Sequence, residues 1–265
     1  TTTIKTVIPL QIPFLQPFIY KFVKASAVKF GRLLKLNDDK DIFGRCCLDY
    51  FAGDKDAKII VNTDIAETDE LPAEHLFRDF DNMPSHEQDA LQQARGDILD
   101  IGACAGSHSL YLQDLGYNVT ALDISKGCCE VMKKRGVKNV VCGDIFKFSG
   151  KTYDSILLLM NGIGIAGNLP KLPELLDHLR TLLNPGGKII FDSSDLQYLY
   201  LEEDGSISIP LTDRYYGELI YNLEYKGKQS GEFKWFFVDP YTIEAVAGEC
   251  NFKMQFLAEG PHYDY

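Results

Sequence analysis

The pattern of apolar and polar positions becomes regular after the first third of the chain. From Glu87 onward, short apolar runs alternate with segments of helical periodicity, as in a parallel sheet whose strands are joined by crossover helices. The five strand candidates are DILDIG, NVTALDIS, KNVVCGD, YDSILLLMNG and GKIIFDSS. One intervening helix has clear end signals, the N-cap residue Ser125 and the stop at Gly136. The pattern therefore predicts an α/β fold with a doubly wound sheet.

The two ends of the chain follow other patterns. After Asp195, the runs SISIPL, GELIYNLEYKG and GEFKWFFV alternate as antiparallel strands do, which predicts a β-hairpin insertion around residues 197–231. A helix is predicted to begin at Asp239-Pro240, and FKMQFLAEG is predicted to form a final strand. Residues 17–35 are basic and amphipathic, which predicts a helical cap, with an anionic membrane surface as the alternative. Residues 36–84 are predicted to be connecting structure without a second core.

Length, charge and cysteine content narrow the class of protein. The 265 residues suit one large α/β domain with an appendage, which we divide into a helical cap and connecting segment over 1–86 and a main domain over 87–265. Acidic residues outnumber basic ones by 38 to 27, and the net charge of −11 opposes binding to nucleic acid. The seven cysteines lack CxxC spacing, so neither a disulfide framework nor a metal site is expected. Without a long apolar run or signal peptide, we expect a soluble, cytoplasmic protein.

Acidic residues stand at the ends of several predicted strands. The ligands of an open α/β sheet bind beyond the carboxyl ends of its strands. The acids found there are Asp100, Asp123, Asp144, and Asp192 together with Asp195. Asp123 follows the glycine turn by about twenty residues, the distance at which such folds place a carboxylate on a ribose diol. These acids therefore predict a ligand site, although any one of them could instead cap a helix or turn.

The turn LDIGACAG, residues 99–106, fits a nicotinamide-dinucleotide fingerprint poorly. In G-x-G-x-x-G, Gly102 matches, but Cys104 replaces the second glycine and Ser107 the third. Asp100 would also add negative charge beside a pyrophosphate. A cofactor with cationic groups and no phosphate, such as S-adenosylmethionine, suits this turn better. A nicotinamide-dependent oxidoreductase is therefore disfavoured.

Residues 100–106 resemble the first motif of the class I S-adenosylmethionine-dependent methyltransferases, in which an acidic residue and any residue precede G-x-G-x-G. Cys104 departs from that motif at the middle glycine. The similarity covers about residues 87–195 and includes LLNPGG at 182–187. It implies a Rossmann-like seven-stranded sheet, mostly parallel with an antiparallel C-terminal strand, and S-adenosyl-L-methionine as the cofactor. A looser likeness is to bacterial methyltransferases that act on small molecules.

The resemblance also implies roles for single residues. Asp123 would bind the ribose hydroxyls, while the Asp144 carboxylate and the backbone N–H of Ile145 would bind the adenine. Met160 and Asn161 would border the methionine moiety and the substrate. The full implied cofactor-binding set is Asp100, Gly102, Cys104, Gly106, Asp123, Ile124, Asp144, Ile145, Met160 and Asn161.

Three residues are candidates for a catalytic role. His108 could act as a base or contact the methionine carboxylate, Asn161 could bind substrate through its amide, and Asp192 could act as a general base. Each has a purely structural alternative: a surface histidine, a flexible glycine-rich turn and a capping carboxylate, respectively. Arg78 is a further candidate, as a partner for the cofactor carboxylate.

The sequence leads to a specific functional hypothesis. We expect a methyltransferase that moves a methyl group to a small-molecule acceptor by in-line displacement. A non-catalytic protein that binds S-adenosylmethionine or a protein partner is the alternative. An aromatic or cationic acceptor would suit a group of aromatic side chains that otherwise suits hairpin packing: Tyr215, Tyr216, Tyr221, Tyr225, Trp235, Tyr263 and Tyr265. We expect no nucleic-acid or membrane partner and no metal, and leave a homodimer open.

Overall fold

A computed structural model describes residues 38–210, 212–260 and 263–265 of the chain. The predicted helix over residues 17–35 lies outside these described residues. In the described part of the chain, every helix is too short or too polar to cross a membrane.

The helices and strands of the described residues alternate along most of the chain. The strands are β1 (Lys58–Thr63), β2 (Asp69–Pro72), β3 (Asp97–Ile101), β4 (Asn118–Asp123), β5 (Asn139–Cys142), β6 (Tyr153–Leu158), β7 (Leu183–Phe191), β8 (Glu218–Tyr225), β9 (Lys228–Gln229) and β10 (Phe233–Phe236). The α-helices are α1 (Ile42–Phe51), α2 (Ala73–Phe77), α3 (Ser85–Gln93), α4 (Ser107–Asp114), α5 (Lys126–Arg135), α6 (Leu172–Thr181) and α7 (Pro240–Glu249). Short 3-10 helices cover Asp38–Lys40, Phe80–Asn82, Ile145–Lys147, Gly162–Ala166, Leu169–Lys171 and Leu196–Tyr200.

The main sheet is parallel and has the strand order β5-β4-β3-β6-β7. Its central strand, β3, is buried on both faces, with Ile98 and Leu99 fully inaccessible to solvent. The chain first builds outward from β3 through β4 to β5 and then crosses to the other side with β6 and β7. This change of direction leaves a crevice at the carboxyl ends of β3 and β6. The predicted α/β fold and its five central strands are confirmed.

A second, antiparallel sheet has the order β10-β8-β1-β2, with β9 paired to β8. Ile60 of β1 lies opposite Glu224 of β8, so the segment predicted only to connect contributes strands that pair with the insertion. The sheet and helix α1 share a core that includes Ile42, Ile59 and Leu223. The apolar pattern of β1 gave no indication of its partner because the two strands lie far apart in the chain.

The main sheet was predicted to have seven strands, the last of them antiparallel. In the described residues it has five strands, and all of them are parallel. The segment FKMQFLAEG, predicted as an antiparallel final strand, has no strand pairing over residues 252–260, and Phe256 and Leu257 are exposed. Among the described residues, an isolated antiparallel bridge joins Ser194, just after β7, to Asp264, with backbone hydrogen bonds between Ser193 and Tyr265 beside it. Alternation predicts which face of a strand would be buried, but it cannot show that a partner strand lies within reach.

The predicted helix start at Asp239 is confirmed by its capping geometry. Asp239 Oδ1 accepts hydrogen bonds from the backbone N–H groups of Tyr241 and Thr242, both at 3.0 Å, and Pro240 occupies the first helical position. The local sequence alone therefore determines where α7 begins.

Candidate active site

A cavity opens in the crevice at the carboxyl ends of β3 and β6. The turn after β3, the first turn of α4, the end of β6 and the segment before α3 line it. Among the predicted site residues, its lining includes Asp100, Gly102, Cys104, His108 and Met160. Residues from separate parts of the motif region thus meet where an α/β sheet binds its ligands.

The turn after β3 has three residues in the left-handed region, with φ of 70° at Gly102, 48° at Cys104 and 84° at Gly106. A Cβ at Gly102 would meet no atom within 4 Å, so the backbone there borders open space that a ligand can approach. A Cβ at Gly106 would lie 2.9 Å from the side chains of Met132 and Val137. Gly106 therefore permits close packing of the turn against α5 and the residues after it, whereas Gly102 leaves room for a ligand.

The Asp123 carboxylate is held by two backbone donors at the end of β4. Oδ2 accepts from the N–H of Cys104 and Oδ1 from the N–H of Ser125, both at 2.8 Å. Burial raises the pKa of Asp123 to about 6 against these two hydrogen bonds, and the charges of Asp41 and Asp100 add to the rise. Each carboxylate oxygen keeps a further lone pair, so the group can still accept hydrogen bonds from a ligand.

Asp100 is the most buried acid of the site, with 1% of its surface exposed. Its Oδ2 accepts a hydrogen bond of 2.6 Å from Ser109 Oγ in α4, and burial raises its pKa. Asp100 therefore fixes the first turn of α4 as well as bringing an acidic group to the cavity wall.

Three further predicted residues follow β4 and β5 and are outside the described lining of the cavity. Asp144 Oδ1 accepts from the N–H of Phe146 and Oδ2 from Lys147 Nζ, both at 3.0 Å, so this carboxylate caps a 3-10 helix. The Ile145 side chain is buried and that of Ile124 is exposed. All three residues lie at the same edge of the sheet as the cavity: Ile124 follows β4, one strand from β3, and Asp144 and Ile145 follow β5, two strands from β3.

The end of β6 is strained, because Met160 and Asn161 have φ of 58° and 54° although neither is glycine. The Asn161 amide is already paired: Oδ1 accepts from Ser193 Oγ at 3.0 Å, and Nδ2 donates to the Phe236 carbonyl at 3.2 Å. Its backbone N–H donates to Asp192 Oδ1 at 2.9 Å. Asn161 thus joins β6, β7 and β10 and orients Asp192.

Asp192, at the end of β7, is an almost buried acid beside a histidine. Its side chain is 13% exposed, and His86 Nε2 lies 4.0 Å from its Oδ2. Burial raises its pKa to about 7 despite the hydrogen bond from the Asn161 N–H, and the negative charge of Glu87 contributes. A carboxyl group that titrates near neutrality can exchange a proton with a bound reactant.

His108 is paired with Glu87, since its Nε2 lies 3.0 Å from Glu87 Oε2. Arg78 donates to the other oxygen of Glu87. Burial opposes ionisation of Glu87, but the hydrogen bond from His108 and the charge of Arg78 hold its pKa below the usual value. The Nε of Arg78 is buried without a hydrogen-bond partner among the described residues, and Arg78 lines the cavity. The Nε–H of this cavity-lining guanidinium is therefore an unpaired donor.

Sequence reasoning missed His86 and Glu87, which lie in the first turn of α3. Their partners are Asp192 and His108, on other elements of the fold. The only local signal was a His-Glu pair at the start of a helix, which is common on protein surfaces. Their role becomes visible only when the fold brings α3 to the cavity.

The aromatic side chains predicted as a pocket are outside the described lining of the cavity. Tyr215 donates to Asp239 Oδ2 at 2.6 Å, and Tyr216 donates to Asp195 Oδ1 at 2.8 Å. The same Asp195 oxygen accepts from the N–H of Gln197 at 3.0 Å. Asp195 and these tyrosines thus stabilise the insertion.

Comparisons with known proteins agree with this arrangement. Residues 99–191 match the model of a family described as a methyltransferase domain. The chain is 42% identical to an S-adenosylmethionine-dependent methyltransferase from Bacteroides fragilis, whose crystal structure is a complex with S-adenosyl-L-homocysteine. The alignment covers 87% of this chain and 94% of that chain, with a TM-score of 0.81.

More distant structures share the fold. A protein from Pyrococcus horikoshii OT3 is 22% identical over 65% of this chain and 81% of its own, with a TM-score of 0.50. The sugar N-methyltransferase KedS8 from Streptoalloteichus sp ATCC 53650 is 15% identical over 71% of this chain and 86% of its own, also with a TM-score of 0.50. No curated protein sequence matches the chain. On the strength of 42% identity across most of both chains, this chain belongs to the S-adenosylmethionine-dependent methyltransferases.

Proposed function

We propose that the protein transfers the sulfonium methyl group of S-adenosylmethionine to a small-molecule acceptor by in-line displacement. A lone pair of the acceptor forms the new bond to the methyl carbon as the carbon–sulfur bond breaks, and S-adenosylhomocysteine leaves. The observation that carries this proposal is a ligand-accessible glycine turn in the cavity wall, at the same sheet edge as the buried carboxyl of Asp192, which binds the N–H of the residue after the cavity-lining Met160. Alignment of two bound reactants in such a crevice supplies much of the rate acceleration.

The cofactor half of the proposed site lies along β3, β4 and β5. The Asp123 oxygens, oriented by two backbone donors, would accept from the ribose hydroxyls. The Asp144 carboxylate and the Ile145 N–H would bind the adenine, with Ile124 beside it. These roles rest on the position of each residue at a strand end.

The methionine moiety would occupy the cavity itself. The open backbone at Gly102 allows close approach, and the acidic group of Asp100 favours the cationic ammonium and sulfonium. The free Nε of Arg78 would donate to the cofactor carboxylate. The acidic Asp100 and the basic Arg78 would thus match the positive and the negative groups of the cofactor's methionine moiety.

The acceptor half lies at the ends of β6 and β7. Met160 would border the transferred methyl group, and Asn161 would hold Asp192 in place through its backbone N–H. Asp192 would accept a proton from an acceptor that arrives protonated. His108 lines the cavity, and its buried pair with Glu87 would hold the imidazole ring in place beside the cofactor.

A small acceptor is favoured over a nucleic acid by charge. The net charge of −11 disfavours approach of a polyanion, and the cavity is a crevice between loops whose lining includes Asp100. The substrate identified by a turnover assay would show which atom accepts the methyl group.

Calorimetric titration of the full chain with S-adenosylmethionine and with NAD tests the cofactor, and we expect binding of S-adenosylmethionine only. The acceptor class is tested by release of S-adenosylhomocysteine in the presence of the low-mass fraction of a cell extract or its nucleic-acid fraction. Turnover with the low-mass fraction supports the proposal. Binding of NAD alone, or cofactor binding without turnover in either fraction, contradicts it, and the second result indicates a non-catalytic binding protein.

A further inference from the structure

Three cysteines from separate elements bring their sulfur atoms together behind the turn after β3. Cys47 lies in α1, Cys104 in the turn and Cys128 in α5. Cys104 Sγ lies 3.9 Å from Cys47 Sγ and 3.8 Å from Cys128 Sγ, and all three sulfurs are within 4.8 Å of one another. Cys47 and Cys128 lie 57 and 24 residues from Cys104 in the chain, so the cluster has no spacing motif in the sequence.

The sulfur triangle has the size of a metal–thiolate site. Two sides of the triangle measure 3.8 and 3.9 Å, and the third is at most 4.8 Å. A zinc–thiolate bond measures about 2.3 Å, so the sulfurs of a tetrahedral zinc site lie about 3.8 Å apart and the ion lies just outside their plane. The two shorter sides already match this spacing.

We propose that Cys47, Cys104 and Cys128 bind a thiophilic metal ion, Zn²⁺. On binding, three thiols release their protons to solvent and three sulfur–zinc bonds form, with no change of oxidation state. Water would complete the fourth position, because the described residues place no fourth histidine, cysteine or carboxylate within reach of this cluster.

The charges around the cluster favour a divalent ion. Zn²⁺ with three thiolates carries one net negative charge. The guanidinium of Arg135 interacts electrostatically with Cys47 and Cys104, and its Nη1 is anchored by donation to the Ala105 carbonyl at 2.7 Å. This positive charge offsets the residual charge of a zinc complex, whereas a monovalent ion would leave a second negative charge in an apolar cluster.

The backbone at Cys104 indicates that the sulfur itself matters. Its φ of 48° lies in the left-handed region, which costs a residue with a Cβ about 1 to 2 kcal/mol and glycine almost nothing. A turn selected for shape alone would be more stable with glycine there. Cys104 also lines the cavity and is the least buried of the three, so the cavity gives an ion a route to the cluster.

Cobalt titration of the full chain, freed of metal with a chelator and kept reduced, tests this proposal. Co²⁺ should produce a thiolate-to-cobalt charge-transfer band that saturates at one ion per chain, and Zn²⁺ should displace it. Cys47→Ser and Cys128→Ser should each lose the band. The matched controls are Cys46→Ser and Cys129→Ser, which change the buried neighbour of each ligand and should keep it.

Circular dichroism of every variant shows whether it is folded, and Cys47→Ala and Cys128→Ala replace any serine variant that is not. A wild-type protein without the cobalt band overturns the proposal, as does a band that survives in both folded ligand variants. Mass spectrometry of the protein, prepared under the same reducing conditions as the titration, supplies the last check, because a disulfide within the cluster there also overturns the proposal. None of these readouts depends on cofactor binding or turnover.

Discussion

The two sides of the crevice are built in different ways. On the cofactor side, each acid has a contact close in sequence: the Asp123 carboxylate binds the N–H of Ser125 and Asp144 binds that of Phe146, both two residues later. The second Asp123 oxygen binds the N–H of Cys104, 19 residues earlier. On the acceptor side, the Asn161 amide donates to the Phe236 carbonyl, 75 residues away, and Asp192, after β7, lies beside His86 of helix α3. The cofactor side thus draws on contacts of at most about twenty residues in sequence, whereas the acceptor side depends on contacts across the whole assembled fold.

The same contrast separates the two key acids by chemistry. Asp123 receives a backbone N–H on each oxygen, and its pKa is about 6. Asp192 receives one backbone N–H, from Asn161, and its pKa is about 7. Burial raises both pKa values, and the proposed roles follow from geometry: Asp123, with a backbone donor on each oxygen, is suited to binding, and Asp192, with one such donor, is suited to proton exchange.

The largest expected effect is on turnover in Asp192→Asn. A positioned general base contributes about 10²- to 10⁴-fold, so the rate of S-adenosylhomocysteine release should fall at least about 100-fold with an acceptor that must lose a proton. In the wild type, Asp192 is deprotonated above its pKa of about 7, so the rate should rise as pH passes through that value. The variant should lose this rise while cofactor affinity stays unchanged.

Asp195→Asn is the matched control, because Asp195 follows three residues later and is occupied by Tyr216 and Gln197. It should retain both the rate and its pH dependence. Equal loss in both variants would show that Asp192 supports the structure rather than the chemistry.

The next largest effect is on cofactor affinity in Asp123→Ala. Hydrogen bonds to a charged group contribute about 1.5 to 3 kcal/mol, so the dissociation constant for S-adenosylmethionine should rise about 10- to 100-fold. Calorimetric titration measures this change. Asp204→Ala, at an exposed turn, should bind as the wild type does. Unchanged affinity in Asp123→Ala would remove Asp123 from the cofactor site.

Alanine substitutions at Gly102 and Gly106 should differ in their effects, the first acting mainly on cofactor binding and the second mainly on stability. Gly102→Ala adds only backbone strain of about 1 to 2 kcal/mol, but it places a methyl group in the open space beside the proposed cofactor. Gly106→Ala adds the same strain and a clash with Met132 and Val137, which costs about 1 to 3 kcal/mol more. Urea denaturation should show the larger loss for Gly106→Ala, and cofactor titration the larger loss for Gly102→Ala. The reverse order would contradict the assigned roles.

The smallest expected effect is on thermal stability in Asp192→Asn. The pKa of Asp192 is about 7 in the folded state, against an ordinary value of 3.8, so the folded protein binds the proton more tightly than the unfolded chain. This contribution to stability is complete below pH 4 and is lost as pH rises towards 7. Asparagine avoids the loss, so the variant should melt several degrees higher than the wild type at pH 8 and no higher at pH 4. A constant difference across this range would contradict the raised pKa.

The contrast also explains how far the sequence was informative. The five parallel strands, the turn from Asp100 to Gly106 and the start of α7 were predicted because periodicity, glycine positions and caps are local signals. The pairing of β1 with β8, the Glu87 and His108 pair and the sulfur cluster were not, since their partners lie far apart in the chain. Asn161 was found as a candidate, but its amide proved to hold three elements together rather than to face the cavity.

A crystal structure of the full chain with S-adenosylhomocysteine tests the central claim most directly. We expect the Asp123 carboxylate within hydrogen-bond distance, about 2.5 to 3.2 Å, of the ribose hydroxyls, and the cofactor sulfur facing the ends of β6 and β7, where Asp192 lies. A ribose bound away from Asp123, or a sulfur turned away from Asp192, would contradict the division of the crevice into a cofactor side and an acceptor side.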